Sequence, residues 1–373
     1  METRILKIDT ENIDLSKLSQ AAEAIDNGRL VAFPTETVYG IACRVKNDSL
    51  DKLNNLKERV PHKHYTLHVS GNIDIGKYVP KLTLRAQKLI KNAWPGPLTI
   101  VFELSEEDVE VQRSMFEKEV FEQLYRNNSI GIRCPENAVA AKLLELTQNP
   151  VVAPSANTAG KKPAVNAQEV LGYFAGQIEL VIDAGPSKYR QNSTVVKLGK
   201  AGMKILRPGA VSFDDIEEMS TIGILFVCTG NTCRSPMAEA IFHKYLAEKL
   251  GCALDEVEKK GYKVFSAGTM GLSGLPVSPE SVAACAGKGL DIESHKSTAL
   301  TEELIGQMDI IYTMSRSHLE VVKTVCPEAA DKCRLLEEKS DIADPIGQSQ
   351  DRYNRCADVI EKAVERRVSE LWI

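Results

Sequence analysis

Apolar positions along the chain follow two rhythms. Residues 15–26 repeat at the three- and four-residue spacing of a helix with one buried face, and Asn27-Gly28 stops them. The run RLVAFP before Thr35 is different: short, continuous and apolar, as in a buried strand. Further strands are read in PLTIVFEL, SIGIRCP, PVVAPSAN, ELVIDAG and STVVKLG, mostly separated by helices over 48–58, 84–93 and 138–147. This alternation predicts an α/β unit with a large mixed sheet.

After LRPG and the short acidic stretch FDDIEEM a new series begins. The strand IGILFV leads into a loop at Cys228, a helix over 235–249, the strand YKVFSAG, a helix over 280–288, the strand DIIYTM and a long amphipathic helix ending near 371. That order predicts a flavodoxin-like, doubly wound parallel sheet. A length of 373 residues suits two domains, read as 1–215 and 222–373. Neither internal repeats nor low-complexity tracts interrupt them.

Composition narrows the class. With 43% apolar and 26% charged residues the chain can bury cores, which excludes a disordered or fibrous protein. A formal charge of −5 gives no global basic field, so gripping a nucleic-acid backbone is not its main task. The start METRILKIDTENIDL lacks the order of a secretory signal, and no apolar run approaches the roughly 20 residues that span a bilayer. The expected location is cytoplasmic, with no membrane partner. Nine cysteines without framework spacing suit a reducing compartment.

Chemistry concentrates in VCTGNTCRSPMAEA, where Cys228 follows a buried strand and Arg234 stands immediately before a helix. A loop of this length, made here of Thr229, Gly230, Asn231, Thr232 and Cys233, turns its backbone N–H groups inward at a helix N-terminus and makes an anion cradle. The same field favours a cysteine thiolate. Arg234 can fork two N–H bonds onto phosphate oxygens, as Lys could not. Asp344, before Pro345 in DPIG, supplies an acid for the leaving group and then a base for water. Cys233 is either a redox partner of Cys228 or a plain packing thiol.

These pieces, with FSAGT, SHKSTALTEE and DIIYTMSRSH in the same order, resemble the low-molecular-weight protein phosphatase family, in its protein-arginine-phosphatase branch, over 222–373. The resemblance implies Cys228 as nucleophile, Arg234 as phosphate ligand and Asp344 as acid, with Asn231, Ser235 and His295 bracing the loop. It implies no tightly bound cofactor and phosphorylated proteins as partners. Ile346 departs from the family, where an aromatic residue commonly follows Asp-Pro.

The first half offers no Walker-type loop, since Ser155 stands where the earlier glycine before Gly160-Lys161 is needed. Polar residues instead gather at strand ends: Thr35 and Thr37, Ser155 and Asn157, Ser193 and Thr194. Lys57 and Arg59 either meet a polyphosphate or form a solvated charge pair at a helix end, the residues alone favouring the latter. His62, His64 and His68 share strand parity, but no Cys, Asp or Glu matches their spacing, so no metal site is read.

FPTETVYG, the Lys57-x-Arg59 pair with His68 downstream, WPGPLT, IGIRCP, PSAN, NSTVV and ILRPG together resemble the YrdC-like threonylcarbamoyl-AMP synthase family over 1–210. Such enzymes join L-threonine, bicarbonate and ATP into threonylcarbamoyl-adenylate and pyrophosphate, feeding a tRNA-modifying threonylcarbamoyl transferase. The resemblance implies that Thr35, His68, Arg133 and Ser193 face threonine and that Lys57, Arg59, Ser129, Ser155, Asn157 and Arg207 face ATP, with Mg2+ accompanying the nucleotide. Val60 and His64-Tyr65 depart from the family's Pro and Pro-Leu, and the extra C-terminal domain of longer members is replaced by the phosphatase. A bifunctional enzyme is the leading expectation. The alternative is a phosphotyrosine phosphatase fused to a YrdC-like RNA-binding or ligand-sensing module.

Overall fold

Strand alternation sorts side chains onto two faces, and the first unit covers both. Val31 and Phe33 pack with Leu18, Ile25 and Leu143, while Leu30 and Ala32 pack with Leu53, Leu89 and Ile132 on the opposite side. The computed structural model describes residues 2–58, 65–71, 74–199 and 202–373. It divides into two compact units, Met1–Ser220 and Thr221–Ile373.

A ten-stranded mixed sheet builds the first unit. From one edge its strands run Arg4–Lys7, Leu180–Asp183, Val31–Phe33, Gly40–Arg44, Val151–Val152, Thr66–His68, Ser129–Arg133, Leu98–Glu103, Thr194–Gly199 and Gly202–Arg207. Register decides what these strands bring together. His68 lies opposite Val151 and Arg133, Arg133 opposite Thr99, and Thr99 opposite Val195. Directly paired residues share a face, so His68, Arg133 and Thr99 form a polar row across three strands.

Helix Leu15–Asp26 is capped by Asp14, whose carboxylate accepts from Ser16 and Lys17 N–H, and helix Leu84–Ala93 by Thr83. Buried Arg85 clasps helix Phe213–Ser220 to helix Leu84–Ala93. Its Nε donates to Ser220 Oγ at 3.1 Å, and its head pairs with Glu217 at 2.7 Å. The acidic stretch after LRPG is therefore part of the first unit.

The second unit is a four-stranded, all-parallel sheet in the order Tyr262–Gly268, Ile222–Cys228, Ile310–Thr313, Cys333–Leu335. Strand Ile222–Cys228 is buried throughout. Phe226 meets Phe242 and Tyr312 at ring-centroid distances of 5.2 and 5.5 Å on one face. Leu225 and Val227 pack with Ile305, Ile311 and Val322 on the other. Cys228 ends the strand where the chain order reverses between its two neighbours, the crevice in which open α/β sheets bind ligands.

Candidate functional sites

Two places gather polar side chains. In the first unit a cavity of about 340 Å³ opens over the row described above. Its lining includes Thr35, Lys57, His68, Arg133, Ser155, Asn157, Ser193 and Arg207.

Lys57 ends helix Asn47–Lys57 and is buried, not solvated. Its ammonium donates to the carbonyl of Ser155 and, at 2.6 Å, to that of Asn157. Asn157 holds its own loop by donating Nδ2–H to the carbonyls of Thr158 and Lys161 at 2.7 and 2.9 Å. The cation thus clamps the PSAN turn to the cavity wall, which corrects the solvated reading of its charge. Arg59, with His62, His64 and Val60, lies outside the described residues. Tyr65 is buried, lines the cavity and donates its hydroxyl to Asn54.

Arg133 donates to Glu36 Oε1 at 2.8 Å and also to Thr37 and Thr35. Its Nε and Glu36 Oε2 are buried without hydrogen-bond partners. Burial and the Arg133 charge push His68 down to about 3, so its ring is neutral, with Nδ1 3.1 Å from the Thr66 carbonyl. Arg207 donates to the Ser193 carbonyl and hydroxyl at 2.7 and 3.0 Å, and Ser193 Oγ lies 3.0 Å from Thr99 Oγ1. Burial, then Arg133, lowers Arg207 below the usual arginine range.

Ser129 is not brought to this cavity. It opens the strand that Arg133 closes, and its hydroxyl turns away to donate to the Arg126 carbonyl at 2.8 Å. Glu36 is the residue that sequence reasoning missed here. Its signal was an acid inside the otherwise apolar and hydroxylated run FPTETVYG.

In the second unit the loop after Cys228 wraps the sulfur. Asn231 N–H donates to Sγ at 3.3 Å, and Ser235 Oγ lies 3.0 Å from it. Asn231 has φ 55°, a left-handed conformation that Asn tolerates, and its side chain fixes the turn. Its Nδ2 donates to Ser235 and Ser266 hydroxyls at 2.9 and 2.8 Å, and its Oδ1 accepts Thr298 N–H at 2.7 Å. His295 Nε2 is 3.1 Å from the Asn231 carbonyl. Gly268 permits the close approach of this loop, since a Cβ there would stand 2.8 Å from the Thr229 carbonyl oxygen and 2.9 Å from Gly230 C.

Arg234 is buried at the helix start. Nη1 donates to the Ile342 carbonyl at 3.0 Å; Nη2 reaches Thr229 Oγ1 at 3.1 Å and pairs with Asp344; buried Nε has no hydrogen-bond partner. Cys233 turns toward Tyr353 Oη and Ser278 Oγ, each at 3.5 Å. The half-buried Thr232 fills the loop's middle, and Ile346, 65% exposed, stands two residues past Asp344. Gly268 and His318 were not singled out from sequence; His318 Nε2 lies 2.9 Å from Thr229 Oγ1. Among the described residues no group of three or more His, Cys, Asp or Glu side chains could hold a metal ion.

Fold and sites together define a two-part α/β protein, a mixed-sheet domain with a cationic cleft followed by a doubly wound domain with a cysteine-and-arginine anion loop. A family model for Sua5, YciO and YrdC proteins, described as telomere recombination, matches residues 23–209, and one for low molecular weight phosphotyrosine protein phosphatases matches residues 223–372. The chain belongs to the Sua5/YciO/YrdC family and carries a low-molecular-weight phosphatase domain behind that part.

A threonylcarbamoyl-AMP synthase of Pyrococcus abyssi is 32% identical over 210 residues, 56% of this chain and 58% of that protein. The chain thus spans less than two thirds of that relative's length. A Sua5 double variant from the same organism shares the fold, with 22% identity, a TM-score of 0.51 and coverage of 89% of this chain and 98% of that one. The YwlE arginine phosphatase from Geobacillus stearothermophilus is 31% identical over 40% of this chain and 92% of its own, with a TM-score of 0.35.

Proposed function

We propose that the first unit makes threonylcarbamoyl-AMP and pyrophosphate from L-threonine, bicarbonate and ATP, and that the second hydrolyses phosphoarginine on proteins. The supporting observation in the first unit is the cavity that joins Lys57, Arg133 and Arg207 to the hydroxyls of Thr35 and Ser193. Arg133 meets the threonine carboxylate, while Lys57 and Arg207 face the charge that develops on pyrophosphate. Among the described residues no carboxylate lines this cavity. Magnesium would therefore enter on the ATP phosphates, the described lining offering hydroxyls and the Asn157 and Asn192 amides as side-chain oxygens. The product would pass to a tRNA-modifying threonylcarbamoyl transferase. Pyrophosphate release by the full chain, dependent on threonine, bicarbonate and ATP together, tests this; release without threonine or none at all would refute it.

In the second unit the buried, unpartnered Nε of Arg234, at the end of the loop that wraps Cys228, supports a phosphate site. Cys228 Sγ attacks phosphorus as the P–N bond breaks, and Asp344 gives its proton to the leaving nitrogen. The carboxylate so formed takes a proton from water, whose oxygen attacks the phosphocysteine; inorganic phosphate leaves and the thiolate returns. Thr232 decides the substrate. Its small hydroxylated side chain leaves polar room for a guanidinium, where an aryl ester wants apolar walls. Thr232→Ile should lower kcat/KM for phosphoarginine by about 10- to 100-fold and keep or raise it for phosphotyrosine. A wild type that prefers phosphotyrosine, with no change in the variant, would overturn the arginine assignment.

A further inference from the structure

A chain of hydrogen bonds, buried at one end and part-buried at the other, runs from one helix cap to the phosphate-facing arginine. Helix Arg316–Val325 begins at Ser315, whose Oγ accepts His318 N–H at 3.4 Å and lies 2.8 Å from His318 Nδ1. The other ring nitrogen, Nε2, is 2.9 Å from Thr229 Oγ1, and Thr229 Oγ1 is 3.1 Å from Arg234 Nη2. His318 is 4% exposed, so its bonds to Ser315 are made out of water, while Thr229 is half-buried.

Arg234 only donates, so Thr229 Oγ1 gives it a lone pair and keeps its own proton to place. In one of the two neutral tautomers of His318, Nε2 accepts that proton and the ring hydrogen on Nδ1 points at Ser315 Oγ. This requires a neutral imidazole. Burial, then the Arg234 charge, holds His318 down to about 4 against the opposing pull of Asp344 and Asp341.

The arrangement matters because Arg234 has two partners with different fates. Asp344 must leave the guanidinium to serve the leaving group. Among the described residues the Ile342 carbonyl and Thr229 Oγ1 then hold the arginine in place while Nε meets the phosphate.

We propose that His318 is a positioning residue for the phosphate-binding arginine: by accepting the Thr229 proton it keeps a hydroxyl lone pair on Arg234 after Asp344 has moved away. The inference deepens the phosphatase reading, and rests on it for the movement of Asp344.

The test uses the full chain and two readouts, calorimetric binding of inorganic phosphate and kcat/KM on p-nitrophenyl phosphate. Thr229→Val and His318→Leu should each weaken phosphate binding and lower kcat/KM by about tenfold, and the double variant should lose no more than either alone. His318→Gln, whose amide oxygen can accept in place of Nε2, should recover most of the loss, as should Thr229→Ser. Additive losses would overturn the proposal, as would unchanged phosphate binding in Thr229→Val. So would a Gln variant as impaired as Leu while both melt like the wild type. If the wild type turns over no phosphorylated substrate yet binds phosphate with this His318 dependence, the phosphatase reading fails and the positioning role stands. If it binds no phosphate, both fall.

Discussion

In the second unit one uninterrupted segment, Cys228 to Ser235, supplies the sulfur, the turned N–H group and the cation, and only Asp344 comes from afar. In the first unit the cleft draws on Thr35, Lys57, His68, Arg133, Ser193 and Arg207, carried by different strands, loops and a helix end. A contiguous loop takes its shape from a few supports, above all Asn231 and the bare Gly268, so a change at either support disturbs every group of the loop together. A cleft set by sheet register loses one contact at a time.

Cys228→Ala is the strongest test of that contrast. Phosphatase turnover should fall by about 10⁴-fold or more, because no other group supplies the nucleophile, while pyrophosphate release stays at the wild-type rate. Paired assays on one preparation check it. A fall in both activities would mean that the sites are not independent.

Lys57→Ala should act more weakly and in two ways. Losing the cation should slow pyrophosphate release about 100-fold, and losing the donor to the Ser155 and Asn157 carbonyls should destabilise the first unit by about 1–3 kcal/mol. Pyrophosphate assays and thermal melts separate the effects; lost stability with unchanged turnover would make Lys57 a clamp alone.

Within any single pH unit the expected effect is smaller, a difference in acid tolerance. His68 and His318 are both held below the ordinary histidine range, to about 3 and about 4. Each stays neutral when folded, whereas the unfolded chain takes up a proton below about pH 6.5. Stability therefore falls with acid, by about 1.4 kcal/mol per pH unit for each histidine, down to about pH 3 in the first unit and about pH 4 in the second. Trp94 and Trp372, one in each unit, report the two unfolding transitions by fluorescence. His68→Gln should flatten the acid slope seen by Trp94 and leave that seen by Trp372.

Legibility followed the same divide. The cysteine loop could be read because its order along the chain is its order in space, and strand Tyr262–Gly268 and helix Leu84–Ala93 lie where their patterns put them. Strand Cys333–Leu335 escaped because it is a three-residue edge strand with exposed Arg334 at its centre. In the first unit, residue type picked out polar side chains that line one cavity, yet it misplaced Ser129. Ser129 and Arg133 share one strand, yet at about 3.3 Å per residue they sit at opposite ends of it. Lys57 read as a surface charge because its partners, the carbonyls of Ser155 and Asn157, are backbone atoms far along the chain. Glu36 and His318 were hidden for the converse reason: each is a buried ionisable group contacted by tertiary neighbours that local pattern does not show.

The pairing of Arg234 with Asp344 has a thermodynamic consequence. With its guanidinium already neutralised from within, the loop does not bind an incoming anion so much as exchange one for another. Every candidate competes against a tethered carboxylate at very high effective concentration. Weakly coordinating anions such as chloride gain nothing from that trade, whereas a phosphoryl dianion, with more charge and three acceptor oxygens, displaces the carboxylate and releases it. An internal counter-ion of this kind acts as a threshold, setting the minimum ligand strength that the loop answers to.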